Sequence, residues 1–133
     1  MSHPVLQPGR LGPLTLRNRM VKTATYEGMT PEGRVGEALI RVHAGVARSW
    51  LALTTVAYGA VHPDGRTFPD QLLVGEATRE GLTRLADAVH AEGGLVSLQL
   101  AHCGGFSRNP EVSGGGPRGP SAGWNLYGVT DGI

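Results

Sequence analysis

The sequence has little that would cross-link the chain, charge it strongly or anchor it. Cysteine occurs once in 133 residues, so no internal disulfide can form. The 12 basic residues nearly balance the 11 acidic ones, which gives no electrostatic footprint for nucleic acid or an anionic membrane. No apolar run reaches the roughly 18 residues of a membrane span. The start, MSHPVLQPGR, lacks the apolar region of a secretory signal. We therefore expect a cytoplasmic protein that binds neither nucleic acid nor membrane.

Short apolar runs alternate along the chain with two amphipathic helical patterns. Strand-like runs occupy residues 19–25, 50–57 and 95–101, and the last two have the apolar character of strands buried in a parallel sheet. Helical spacing begins at Glu37 and recurs over Leu82–Val89, after a polar, turn-rich loop at residues 62–71. The order predicts an α/β fold, with a βαβαβ unit over residues 19–103. Pro-Gly and Gly-Pro turns between apolar segments predict a β-hairpin within residues 5–18.

The length of the chain limits which α/β fold it can complete. A closed (β/α)₈ barrel needs roughly 250 residues, whereas this chain has 133 and follows its third strand with a loop-rich tail at residues 104–133. We expect the first three βα units of a TIM barrel, truncated and preceded by the hairpin. The alternative is a small, standalone three-stranded α/β binding module.

Candidate site residues follow from where the strands end, because α/β folds place their sites at the carboxyl ends of parallel strands. Gln99 interrupts the apolar segment SLQLA, so we expect its amide to be buried and paired. An amide presents a donor beside an acceptor, which matches the pyrimidine edge of a flavin; pairing with neighbouring backbone is an equally open alternative. The polar, aromatic and small residues at these ends are Thr23, Ala24, Thr25, Tyr26, Glu27, Tyr58, Gly59, Ala60, Gln99, His102 and Cys103.

Three other features of the sequence could suggest a metal-binding, nucleotide-binding or catalytic site, but each has a simpler interpretation. One cysteine beside one histidine provides too few ligands for zinc, and the adjacent His102 and Cys103 would point to opposite faces of a strand. Residues 114–119 match GxGxxG by spacing, but they follow no strand and open no helix, so we interpret them as a flexible loop. His43 lies on an apolar helical face, which predicts a packed core residue.

Three blocks of sequence resemble the old yellow enzyme family of NADH:flavin oxidoreductases. Residues 14–24, LTLRNRMVKTA, resemble its opening, most clearly in the pattern LxLxNRxV. Residues 60–66, AVHPDGR, resemble the V-x-P-x-G-R segment after its second strand. Residues 88–93 together with Gln99–His102 resemble its AVHxxG…QLxH block. The blocks come in family order, so the chain resembles the N-terminal part of such an enzyme.

The resemblance implies a TIM barrel that holds FMN at the carboxyl ends of its strands, with the hairpin of residues 5–18 closing the barrel bottom. Tyr26 falls where the family keeps a small polar residue near a flavin carbonyl. The backbone N–H of Tyr58 would face the reactive flavin nitrogen, and Gln99 would bind the pyrimidine edge. The cofactor-binding residues that it implies are Thr23, Ala24, Thr25, Tyr26, Tyr58 and Gln99.

The implied reaction is a hydride relay. NADH or NADPH reduces FMN, and hydride then passes to a small-molecule substrate with an activated alkene, such as an α,β-unsaturated carbonyl. The family's catalytic His/Asn pair and tyrosine would lie beyond Ile133, so the catalytic residues of this chain are unknown. The alternative is a non-catalytic half-barrel, either a truncated product or a subunit that forms a homo-oligomer or associates with the remainder of the barrel.

Overall fold

The computed structural model describes residues 3–107 and 119–121. An antiparallel hairpin opens the fold, with two short strands joined at Gly12-Pro13. A βαβαβ unit follows. The elements are β1 (Gly9–Leu11), β2 (Leu14–Leu16), β3 (Val21–Tyr26), α1 (Glu37–Arg48), β4 (Leu53–Ala60), α2 (Arg79–Ala91) and β5 (Leu95–Ala101). None of the helices within these residues is long and apolar enough to cross a membrane.

The second sheet is parallel throughout, with the strand order β3-β4-β5. Leu53 of β4 pairs with Val21 on one side and with Leu95 on the other. The predicted α/β fold with an N-terminal hairpin is therefore confirmed. The described strands form an open sheet with β3 and β5 at its edges, as expected for part of a barrel. Most of the predicted tail at residues 104–133, including most of the glycine-rich stretch, lies outside the described residues.

Both helices pack on one face of this sheet and form the core with it. The apolar spacing of each helix turns one stripe of side chains toward the strands. His43 is fully buried in this layer, as predicted, and its Nδ1 lies 2.7 Å from Oγ1 of Thr54. The buried apolar cluster consists of Leu39, Ile40, Ala47, Val56, Leu72, Leu85 and Val89.

Arg17 ties the carboxyl ends of both helices to the start of the sheet. Its Nη1 donates to the carbonyl oxygen of Glu92 at 2.8 Å, just past the end of α2. Its Nη2 donates to the carbonyl of Ala47 in the last turn of α1 and to that of Leu51 at 2.7 Å. The last carbonyls of a helix have no partner within the helix and carry partial negative charge, so a guanidinium is a favourable partner for them.

The neighbouring Asn18 fixes the turn between α1 and β4. Its buried amide accepts from the backbone N–H of Met20 at 2.9 Å and donates to the carbonyl of Trp50. Trp50 has a left-handed backbone, with φ of 73°, and its side chain is 52% exposed. The prediction that a strand starts at residue 50 is therefore wrong. Trp50 and Leu51 belong to the turn, and their apolar side chains do not mark a strand.

We expect Arg17→Lys to destabilise the protein by about 2–4 kcal/mol. A single ammonium cannot reproduce three separated hydrogen bonds from a planar guanidinium, and hydrogen bonds to charged groups contribute about 1.5–3 kcal/mol. The measurement is urea unfolding of the protein at its natural length, followed by circular dichroism. Arg41→Lys, at an exposed position on α1, is the matched control. Equal unfolding midpoints for the two variants would contradict this role of Arg17.

Candidate functional site

The pairing of β3 with β4 contains a register shift, meaning that two residues of one strand lie opposite one residue of the other. Lys22 pairs with Thr54 and Thr25 pairs with Val56. Two residues of β3, Thr23 and Ala24, therefore lie opposite the single residue 55 of β4. The backbone groups at such a shift leave the regular ladder of hydrogen bonds and need other partners.

A second register shift lies between β4 and β5. Val56 pairs with Leu98 and Gly59 with Leu100, so that residues 57 and 58 of β4 lie opposite the single Gln99 of β5. Bulges of this kind are rare in parallel pairs and concentrate at barrel rims and beside active sites. Both shifts lie toward the carboxyl edge, which is the end of the sheet where β3, β4 and β5 finish. The structure brings the predicted residues together there: Thr23, Ala24, Tyr58 and Gln99 lie at the shifts, and Thr25 and Tyr26 follow the first.

Gln99 faces away from the helices. Val96 and Leu98 pack against the helical core, so alternation along β5 turns Ser97 and Gln99 to the opposite face. On that face Oγ of Ser97 lies 2.8 Å from Oγ1 of Thr55. The expectation that the Gln99 amide is buried is wrong, because the side chain is exposed. Its strand is an edge strand in the described residues, and both helices cover the other face.

Three aromatic rings meet at the carboxyl edge. The ring of Tyr26 stacks on Phe68 with centroids 4.7 Å apart, and its centroid lies 5.6 Å from that of Tyr58. Burial raises the pKa of Tyr26, and Asp70 raises it further. Burial also raises the pKa of Tyr58, against the hydrogen bond with Thr67. Both phenols are therefore protonated near neutral pH and can act as donors.

Phe68 was missed from the sequence, because it lies in a segment that appears as a polar loop. That loop, residues 62–71, is held to the end of β5 by His102 and Cys103. A side chain on Gly65 would meet the His102 ring at 2.6 Å, so glycine permits the contact. The backbone N–H of Cys103 donates to the carbonyl of Gly65 at 3.0 Å, and its thiol contacts the hydroxyl of Thr67. His102 and Cys103 thus both contact the loop.

A charged cluster lies on the helix side of the sheet, behind the same edge. Nζ of Lys22 lies 2.7 Å from Oε1 of Glu27, and these side chains are 21% and 8% exposed. Nε2 of His43 lies 3.4 Å from the same carboxylate oxygen, without the geometry of a hydrogen bond. Burial lowers the pKa of His43, Lys22 lowers it further, and Glu27 opposes both. From the sequence, Glu27 is recognisable as a residue at a strand end, but its pairing with Lys22 is not. The two residues are five positions apart, which matches neither the strand nor the helix period.

The groups at the carboxyl edge fit a flavin. An isoalloxazine ring has a flat apolar body and an edge of hydrogen-bond donors and acceptors. Gln99 presents an exposed amide, Tyr26 and Tyr58 present rings with phenolic donors, and the two register shifts release backbone groups from the ladder. The open face beside them is not covered by the helices.

Known proteins resemble this chain in sequence. A model of the NADH:flavin oxidoreductase / NADH oxidase family matches residues 4–126. The chain is 56% identical over 100 residues to a 4,4'-dithiodibutanoate disulfide reductase of Rhodococcus erythropolis, a match that covers 75% of this chain and 25% of that protein. It is 32% identical over 105 residues to a multifunctional alkene reductase/demethylase of Caballeronia cordobensis, covering 77% of this chain and 16% of that one.

Solved structures of old yellow enzyme relatives have a similar fold over the part that this chain covers. The old yellow enzyme homologue from Zymomonas mobilis superimposes with a TM-score of 0.78 at 25% identity, covering 91% of this chain and 34% of that one. Morphinone reductase, solved in complex with tetrahydroNAD, superimposes with a TM-score of 0.72 at 26% identity and covers 80% of this chain and 29% of that one. The chain thus spans about a third or less of the length of each of these four relatives.

We expect Tyr26→Ala to loosen the loop at residues 62–71, because it removes the stacking on Phe68, which lies in that loop. Aromatic pairs contribute about 0.5–1.5 kcal/mol beyond their burial, so amide exchange in the loop should accelerate by up to roughly tenfold. Hydrogen-exchange mass spectrometry of that segment makes the measurement. Tyr26→Phe keeps the ring and should exchange like the wild type. Equal acceleration in both variants would show that the hydroxyl, not the ring, holds the loop.

Proposed function

The chain belongs to the NADH:flavin oxidoreductase / NADH oxidase family, and we propose that it supplies the first flavin-binding strand ends of an FMN-dependent oxidoreductase. FMN is the cofactor of this family and NAD(P)H its reductant. The observation that carries the proposal is that Tyr26, Tyr58 and Gln99 meet at the carboxyl edge, beside two register shifts. The proposed reaction delivers hydride from NADH or NADPH, through the flavin, to an activated alkene.

Each of these residues has a proposed role toward FMN. The exposed amide of Gln99 binds the pyrimidine edge, and the backbone N–H of Tyr58 faces the reactive nitrogen. The hydroxyl of Tyr26 donates to a flavin carbonyl, which its raised pKa permits across the neutral range. Thr23, Ala24 and Thr25 line the ring. FMN supplies the hydride chemistry when it is bound, while these residues orient the ring and tune its electronics.

The rest of the site must come from elements outside the described sheet. Both of its edges, β3 and β5, carry backbone groups with no neighbouring strand among the described residues, and such edges invite pairing with further strands. Leu100 near the end of β5 is 60% exposed, and Phe106 just beyond it is 62% exposed. We propose that further βα units cover them, whether from the same protein or from an associated subunit. A non-catalytic half-barrel is the alternative.

A second candidate substrate class is a disulfide. It is favoured by the 56% identity to a reductase whose name specifies 4,4'-dithiodibutanoate. In that reaction the S–S bond breaks, and two electrons from NAD(P)H together with two protons yield two thiols. The same flavin site would serve both reactions, and the substrate-facing residues would decide between them.

We expect the protein at its natural length to purify with FMN and to oxidise NADH or NADPH when cyclohexenone or 4,4'-dithiodibutanoate is added. Gln99→Leu should weaken FMN binding on the order of tenfold, since loss of paired hydrogen bonds to the flavin edge is worth about 1–3 kcal/mol. Leu100→Met, at the next position on β5, is the control. Absence of flavin from the wild type would contradict the proposed function, and equal FMN affinity in both variants would contradict the role of Gln99.

The isolated 133-residue chain should be inactive as an alkene reductase and should aggregate or self-associate. The sheet of the described residues has two open edges, and no residue of this chain is assigned to the substrate-binding pair, the proton donor or the phosphate loops expected of the family. The measurement is gel filtration with FMN, followed by assay of cyclohexenone reduction with NADPH. As a positive control, the chain can be joined to the corresponding remainder of the Rhodococcus erythropolis reductase. A monodisperse monomer that keeps FMN and turns over would contradict this prediction.

A further inference from the structure

The partly buried ion pair of Lys22 and Glu27 contacts the backbone at both register shifts. Nζ of Lys22 lies 3.3 Å from the carbonyl oxygen of Thr55 and 3.4 Å from that of Thr23. These residues lie on opposite strands of the first shift. The ammonium therefore offers donors to carbonyls where the β3–β4 ladder is interrupted.

Glu27 makes the corresponding contact at the second shift. Its Oε2 accepts from the backbone N–H of Ala57 at 3.4 Å, and its Oε1 lies 2.7 Å from the ammonium of Lys22. Ala57 is one of the two β4 residues opposite Gln99. Glu27 itself directly follows Tyr26, the last residue of β3. The carboxylate thus joins the end of β3 to the interrupted part of β4.

His43 and Thr54 support the pair from α1 and β4. Nδ1 of His43 lies 2.7 Å from the Thr54 hydroxyl, and Nε2 lies 3.4 Å from Oε1 of Glu27. With a lowered pKa the ring is neutral and carries one proton. The tautomer with hydrogen on Nε2 is favoured, because the other would direct a lone pair at the carboxylate. Thr54 then donates to Nδ1, and Nε2 faces the carboxylate of Glu27 without forming a hydrogen bond to it.

We propose that the Lys22–Glu27 pair is a positioning device that sets the spacing between the flavin-facing ends of β3 and β4. The inference rests on the proposed function. Thr23 and Ala24 lie at one shift and Tyr58 lies at the other, so the pair connects both sets of predicted flavin contacts. The pair lies on the helix side of the sheet beside His43, so it acts on the flavin through the backbone.

A double-mutant cycle in the protein at its natural length tests this role. The variants are Lys22→Met, Glu27→Gln and the double variant, with Glu37→Gln as control, because Glu37 forms an exposed ion pair with Arg84. The readouts are the FMN dissociation constant, from flavin fluorescence, and the urea midpoint. Each single variant should lower the midpoint, since it leaves a partly buried charge without its partner. The double variant should regain much of the midpoint.

FMN affinity should behave differently from stability. It should fall about tenfold in both single variants and stay about tenfold low in the double variant, because the backbone groups at the shifts remain without their partners. Glu37→Gln should change it less than about twofold. Recovery of FMN affinity together with the midpoint in the double variant would overturn the proposal, as would wild-type affinity in Glu27→Gln.

Failure of the proposed function would give a different result. A wild-type protein that binds no FMN would contradict that function and, with it, the flavin part of this inference. Hydrogen exchange of the Ala57 amide then tests the other part of the inference, that Glu27 links the end of β3 to β4. Faster exchange in Glu27→Gln than in Glu37→Gln would support the link between the strands, and equal exchange would overturn it.

Discussion

The structure depends on the three backbone carbonyls that Arg17 holds at the amino-terminal end of the parallel sheet. Ala47 lies in the last turn of α1, Leu51 precedes β4, and Glu92 directly follows α2. A single guanidinium thereby closes both crossover connections at one end of the fold. Barrel folds separate stability at this end from chemistry at the carboxyl end. Here the carboxyl end is where the pairing becomes irregular and where aromatic and amide side chains collect.

Much of the fold could be predicted from the sequence, because burial leaves a direct signal. The β-branched run of β4 and the apolar run of β5 predicted parallel neighbours, and the spacing of both helices predicted the covered face. The start of β4 was wrong by three residues, because apolar composition does not reveal that Trp50 adopts a left-handed turn. A turn held by the side chain of Asn18, 32 residues earlier in the chain, has no local signal.

The position of the candidate site could be predicted from the sequence, but the strand pairing around it and the exposure of its side chains could not. The rule that sites follow strand ends located Tyr26, Tyr58 and Gln99 without any structure. It did not reveal the register shifts, since an extra residue in a parallel ladder depends on which residues pair. Gln99 is exposed although its strand neighbours are apolar, because the described sheet is covered on one face only. The ion pair of Lys22 and Glu27 was equally hidden, since its spacing of five fits neither strand nor helix.

We propose that FMN binds at the carboxyl edge formed by β3, β4 and β5. A crystal structure of the protein at its natural length, grown with FMN, tests it most directly. The pyrimidine edge should lie within hydrogen-bonding distance of the Gln99 amide, and the flavin ring should lie beside the backbone of Tyr58. A flavin bound elsewhere, or one whose pyrimidine edge has no contact with Gln99, would contradict it.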